Sequence, residues 1–338
     1  MARLTFTAVI THRGRTSDTE STAHSLPWTW PRRVTVALVL TCSPLIPLTS
    51  VGAAAAATAP TTSYYEQSAS PTALSLQGQT AGQSATQGIV ILDFGRPAFD
   101  GTSDGTFDFA RNFLSFAAIR AGVESFVMSY YNAAPADTTL DVAVGTNDSC
   151  GLYQPCGSIV CGCPDEPANY ITWGQHLADT VKQLGAWSKG IASANGFTDT
   201  VRIVAADDAE PAFDPGFNNT KYVMQGYAQG VGGSYPPMVD YGSADPGIWS
   251  NDQLLQIANG FAPNVAMPEI YNPSQIGEWA ALVAYAKAQY GEDVTLYGVM
   301  TQTAGPQPPQ SDVVAQLLGA VSPITAQRDV TWVSSITP

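Results

Sequence analysis

The sequence predicts an α/β protein, most simply a (β/α)8 barrel of the TIM type, regular or irregular, and three observations carry that expectation. Strand and helix signals alternate from Gly88 to the C-terminus, as in chains of βα units with parallel strands. Acidic side chains recur just after the apolar strand runs, where an α/β protein keeps its chemistry. Beyond a low-complexity leader the chain retains about 250 residues, a length that suits one such domain.

The leader is expected to be a targeting segment. Arginines at 3, 13, 15, 32 and 33 precede an apolar run from Val34 to Leu48 and a small-residue tract from Val51 to Pro60. This reads as a secretory signal peptide over residues 1–57, and the protein is expected outside the cell. The apolar run carries two prolines and is shorter than the ~20 residues that span a bilayer, so no membrane span is expected. Residues 58–86 are rich in Ser, Thr, Ala and Gln, with Tyr64 and Tyr65 among the few large side chains, and read as a flexible linker. Residues 87–338 form the predicted domain.

Within it, Gly88 to Gly95 (GIVILDFG) is the first strand, followed by a helix from about Thr106 with Phe109, Phe113, Phe116 and Ala117 at helical spacing, ending at Gly122. Glu124 to Tyr131 (ESFVMSYY) reads as the second strand. A long insertion, Asn132 to Tyr170, precedes a helix carrying Leu177, Val181, Leu184 and Trp187. The third strand, Val201 to Ala206, is short, apolar and β-branched, and Glu210-Pro211 halts it. A helical piece near Lys221 to Gly230 leads to a strand at Pro237 to Gly242 and a helix from Asn251 to Phe261. Asn264 to Tyr271 is the fifth strand, and Asn272, Pro273 and Gln275 mark the start of the next helix as N-cap, N1 and N3. Val294 to Gln302, a helix over Ser311 to Val321 and a strand at Val330 to Ile336 complete the domain. Seven strands are legible, and an eighth would have to lie in the 132–170 insertion or before Tyr235.

Composition removes several function classes. The chain carries 14 basic and 28 acidic residues; without residues 1–57 the balance is 9 against 26, a net charge of −17. Such a surface repels phosphate backbones and anionic lipid, so neither nucleic acid nor membrane is an expected partner. His176 is the one histidine after residue 57, and it lies in a helix with no G-x-S-x-G partner, which argues against a Ser-His-Asp hydrolase. Nucleotide-binding glycine signatures are absent, and no cofactor is implied. Cys150, Cys156, Cys161 and Cys163 fall in one window of the insertion and read as two disulfides, with Cys161 and Cys163 each pairing to Cys150 or Cys156; a zinc site is the rival. The insertion is expected to follow the second strand, either as a functional loop over the site or as a protease-resistant feature. Asp100, Thr102, Asp104 and Gly105 echo the start of a calcium loop, but Arg111 stands where an EF-hand needs glutamate. That stretch is expected as a polar loop in which Asp104 or Thr106 caps a helix.

The remaining chemistry lies in carboxylates after strands: Asp93, then Asp207, Asp208 and Glu210, then Asp240 and Glu269. In a parallel barrel these ends converge, and crowded acids push their pKa values apart, supplying a general acid beside a base or nucleophile. Glycosidic bond cleavage needs such a pair. Glu269 and Asp208 are the expected pair, with Glu210 the substitute. Asp93, Asp207 and Asp240 are expected to bind substrate with Tyr130, Tyr131, Tyr241, Trp249, Tyr271 and Gln302, since sugars stack on rings and offer hydroxyls to amides and carboxylates. Each acid also has a structural reading: Asp207 and Asp208 as caps, Asp240 as a brace for the turn before Gly242.

Taken together, the pieces ILDFG, AADDAEP, MVDYGSAD and MPEIYNP make residues 87–336 resemble secreted TIM-barrel glycoside hydrolases of actinobacterial type. Lysozyme-like barrels of that kind imply an Asp near the first strand, which Asp93 could supply, and a D-x-E on a middle strand, which Asp208-Ala209-Glu210 fits. The longer D-x-x-D-x-D-x-E run of chitinase-like barrels is missing. The expected function is cleavage of glycosidic bonds in a glycan. The rivals are a non-catalytic barrel that binds glycan or a protein partner through the same face, and a hydrolase holding a divalent metal between Asp93, Asp208 and Asp240.

Overall fold

The computed structural model describes residues 61–136, 138–147, 167–197, 201–213, 216–245, 247–300, 317 and 331–337. The expected signal peptide, the four cysteines, Gln302 and nearly all of the helix expected at 311–321 lie outside them.

The described chain is α/β, with a main sheet of parallel strands and six helices. In chain order the elements are β1 (Thr61–Tyr65), α1 (Pro71–Gln83), β2 (Gly88–Asp93), β3 (Arg96–Phe99), β4 (Asp104–Phe107), β5 (Phe113–Ser115), α2 (Phe116–Ala133) and β6 (Leu140–Asn147). Then come α3 (Pro167–Asn195), β7 (Val201–Asp208), α4 (Phe217–Val231), β8 (Met238–Asp240), α5 (Asn251–Asn259), β9 (Val265–Ala266), α6 (Pro273–Tyr290), β10 (Gly298–Met300) and β11 (Thr331–Thr337). The main sheet runs β10-β11-β1-β2-β6-β7-β8-β9, and β3, β4 and β5 form a separate antiparallel sheet. Two parallel bridges, Ala266 to Leu296 and Glu269 to Met300, tie the chain around β9 to the chain around β10, the two outermost strands of that order.

Apolar side chains fall into two clusters because strand residues alternate between faces. Val90, Leu92, Val142, Val144, Ile203 and Ala205 pack with the helices. Ile89, Ile91, Ala143, Val204, Ala206, Val239, Met267 and Met300 form a second cluster drawn from strands and the residues next to them. Both faces of β2, β6 and β7 are therefore dry, which explains their nearly unbroken apolar runs.

Three expectations need correction. The supposed linker is β1 and α1: Thr61 to Tyr65 pairs in parallel with both β11 and β2. Its weak composition has a packing cause, since a Cβ on Gly78 would come 2.1 Å from the carbonyl oxygen of Phe126 and one on Gly82 2.8 Å from that of Tyr130. Small residues let α1 lie against α2, and they read as a tether in isolation. The helix expected from Thr106 starts ten residues later, at Phe116, with Ser115 as N-cap accepting from the Ala118 amide; Asp104 and Thr106 lie in β4 and cap nothing. Finally, Glu124 to Tyr131 is helical. Ile119, Val123, Phe126, Val127, Tyr130 and Tyr131 are buried at i, i+3, i+4 spacing along α2, so tertiary burial overrides a strand-like composition. The strand that belongs at this point is β6, inside the expected insertion, and the cysteine-bearing segment follows β6.

Candidate active site

The carboxylates sort by strand parity. Asp93 extends the series Ile89, Ile91 and Asp208 the series Val204, Ala206, so both share the side of the strand-only cluster, while Asp207 and Asp240 fall on the helix side. Asp93 is fully buried and fixed from two directions: Oδ1 accepts the Gly95 amide at 2.8 Å, and Oδ2 accepts the Tyr241 hydroxyl at 2.7 Å. Asp207 accepts the Thr146 hydroxyl at 2.7 Å and braces β7 to β6. Asp240 accepts the Gly242 amide at 3.2 Å, and burial raises its pKa to about 7. Gly242 must be glycine here, because a Cβ would come 2.2 Å from the Ala209 carbonyl oxygen.

Glu269 continues the parity of Met267 and reaches the same cluster from the stretch after β9. Its backbone is held by the Gly242 carbonyl, which accepts its amide at 3.2 Å, and by the bridge to Met300. Its side chain hydrogen-bonds with both Tyr271 and Glu210. Burial pushes the Glu269 carboxyl above its ordinary range, while those two hydrogen bonds pull in the opposite direction. Asp208 and Glu269 are nearly buried, at 5% and 4% exposure, beneath a half-buried rim of Tyr65, Glu210 and Tyr271. Burial raises the phenols of Tyr65 and Tyr271, and the negative charges of Asp208 and Glu269 raise them further, which places all of these groups in one electrostatic neighbourhood.

Tyr65 was missed from sequence because it lies in the supposed linker; two tyrosines in a tract of small polar residues were the available signal. Glu66 follows it on the other side of β1, 5% exposed and hydrogen-bonded to Gln77 of α1, with burial raising its pKa to about 7. Phe109 was read as a helical core position and instead stands exposed on a turn, its ring 4.5 Å from that of Tyr65.

Several expected binders lie elsewhere. The Tyr130 hydroxyl donates to the Thr86 carbonyl at 2.6 Å, ahead of β2, and the Tyr131 hydroxyl accepts the amide of Val201, the first residue of β7. Both thus belong to the opposite end of the sheet from Asp208, seven residues and roughly 23 Å along β7. Trp249 is buried in the helix-side core, edge-on to Phe217 at 5.5 Å. Tyr241 is buried too and serves to hold Asp93. His176 accompanies Asp104 and ties the small sheet to α3, where the Trp173 indole also donates to the Gly105 carbonyl at 2.8 Å. Among the described residues, no three His, Cys, Asp or Glu side chains are grouped to hold a metal ion, and Asp240 turns away from Asp93 and Asp208. No described helix is long and apolar enough to cross a membrane. No protein-family model matches the chain, and no curated protein matches it in sequence.

Proposed function

We propose that this protein is a carbohydrate-active hydrolase that cleaves glycosidic bonds with the carboxylates at the ends of β7 and β9, and that its eight parallel strands close as a (β/α)8 barrel. Support for closure comes from the two bridges joining the outer strands and from the strand-only apolar cluster, which fills the interior a closed sheet would have. Support for the activity rests on one observation: Glu269 hydrogen-bonds with Glu210 and Tyr271 beside Asp208, in a nearly buried cluster beneath a partly open rim.

Two carboxyls in direct hydrogen bond share a proton, since both cannot ionise at that separation without strong repulsion. Glu210 and Glu269 therefore act as one proton-holding unit, and the second catalytic carboxylate has to come from elsewhere. Glu269, raised by burial, delivers that proton to the leaving glycosidic oxygen. Asp208 is the second carboxylate, placed to stabilise the developing oxocarbenium charge and to attack it or activate water. Asp93, fully buried and locked by Tyr241 and the Gly95 amide, supports the floor of the site instead of touching substrate. A non-catalytic glycan-binding barrel is the second reading, favoured by the near-complete burial of Asp208 and Glu269.

The test is release of reducing ends from a panel of wall and storage glycans, peptidoglycan and chitin included, by the protein and its Glu269→Gln and Asp208→Asn variants. Loss of turnover by about 10²- to 10⁴-fold in Glu269→Gln, with binding retained, is the expected result for a general acid. Binding to a glycan that neither is cleaved nor responds to these substitutions would select the non-catalytic barrel.

A further inference from the structure

Phe109 is exposed, yet its backbone is closely fixed, and the hydrolytic chemistry makes no use of it. It stands on the turn Asp108 to Asn112 between β4 and β5. The buried Asp108 carboxylate organises that turn, accepting the amides of Ala110 at 2.9 Å and Asn112 at 2.7 Å and the Asn112 side-chain amide at 3.2 Å. Arg111 completes it at φ +67, a left-handed conformation that a residue with a side chain adopts at a cost. The Phe109 amide donates to the Glu66 carbonyl at 3.4 Å, fastening the turn to the end of β1. Its ring lies 4.5 Å from that of Tyr65 at an interplanar angle of 40°. Tyr65 in turn shares the electrostatic neighbourhood of Asp208, Asp93, Glu269 and Glu210.

The carboxylate cluster therefore continues outward through Tyr65 to an exposed ring 38% accessible to solvent. Exposure of a large apolar ring gains nothing in water, and the hydrogen bonds of this turn hold the ring in one place beside Tyr65. A rigid ring of this kind offers a flat apolar face that accepts the CH face of a pyranose while the sugar hydroxyls stay hydrated. The negative charge of the neighbouring acids, in a chain of net charge −14, disfavours an anionic sugar at the same place.

We propose that Phe109, backed by Tyr65, is a stacking subsite for a sugar unit next to the bond that is cut, so that the substrate is a neutral oligomeric or polymeric glycan rather than a small glycoside. This inference rests on the hydrolase reading above.

The experiment is calorimetric titration of the full chain carrying Glu269→Gln, so that nothing is cleaved, with neutral cello-, chito- and malto-oligosaccharides of two to six units. For the series that binds, affinity should rise with length. Phe109→Ala in the same background should weaken the six-unit ligand by about tenfold and flatten the dependence on length, and Phe109→Trp should restore both. Phe109→Leu, which keeps apolar bulk over Tyr65 without a π face, provides the same comparison if the alanine variant fails to fold. Unchanged affinity at every length in the alanine or leucine variant, in a protein that still cleaves a glycan when Glu269 is intact, would overturn the subsite alone. Absence of both binding and cleavage with every oligosaccharide would overturn the hydrolase reading and the subsite with it.

Discussion

A single step along β7 separates Asp207, which braces the strand to Thr146, from Asp208, which joins the acidic cluster. Parity decides between them, and it decides again between Asp240 and Tyr241. Asp207→Asn should therefore leave turnover within a few-fold of the parent while Asp208→Asn abolishes it, a contrast that one kinetic comparison resolves. Asp240 yields a stability expectation. Its pKa is raised by burial to about 7, so the folded state holds the proton more tightly than the unfolded chain, whose aspartate titrates near 3.8. The stabilising contribution is fully present below about 3.8 and is lost as pH rises through about 7. Asp240→Asn, which keeps a neutral acceptor for the Gly242 amide, should flatten the fall in Tm between pH 5 and 8 and unfold at a higher temperature than the parent at pH 8. An unchanged Tm profile would mean that Asp240 does not titrate in this window. The acid role proposed for Glu269 carries the same logic into activity: because burial raises its carboxyl, turnover should persist above the ordinary glutamate range and fall on the alkaline side as its proton is lost.

At the scale of elements, local capping chemistry was legible and tertiary compensation was not. Asn272 caps α6 by accepting the amides of Ser274 and Gln275, while Gln275 reaches back to the Asn272 amide, as the Asn-Pro-Ser-Gln run had predicted. Replacing Asn272 by alanine should cost about 1 kcal/mol in denaturant unfolding. The third strand was legible because β7 is dry on both faces and bounded by Pro211. By contrast, α2 resembled a strand because its buried stripe is built from Phe, Val and Tyr, residues that strands also favour, and the helical spacing carried the truth. β6 went unassigned because it begins within a run of polar and small residues, and only its alternation across two dry faces marks it. For the site, Glu269, Asp208 and Glu210 were readable as acids after strands. That Glu210 and Glu269 would meet was not, since the partner is set by the folding of two strands 59 residues apart. The other end of β7 carries its own pair. Asp141 accepts Arg202 Nε at 2.5 Å and Nη2 at 2.7 Å, yet its burial outweighs the guanidinium and raises its pKa to about 6. Arg202→Met leaves a buried carboxylate with its charge partner removed and should cost about 1–3 kcal/mol above pH 6, and less below it, by denaturant titration at two pH values.

At the scale of the whole domain, the decisive question is whether the chain begins its fold at Gly88 or at Thr61. β1 lies between β11 and β2, with Ser63 opposite both Ile336 and Ile91, so the first strand of the described chain pairs directly with the last. Removing it would expose the hydrogen-bonding edge of β2, the strand that carries Asp93, and the edge of β11, leaving two sheet edges prone to association. Removing α1 with it would also take Tyr65 from the carboxylate rim and strip Leu74, Gly78 and Gly82 from the positions where they lie against Gly122, Phe126 and Tyr130 of α2. The sheet topology places N- and C-terminal segments side by side, so neither half can complete the fold before the other is present. A variant starting at Gln87, which a linker reading would treat as an intact domain, should therefore aggregate or lose its cooperative thermal transition. A peptide of residues 58–86 supplied in trans should restore part of that transition if β1 and α1 act as a docking unit. A truncated protein that unfolds cooperatively at the temperature of the full chain would show that β1 is an accessory strand and that β2 and β11 can pair without it.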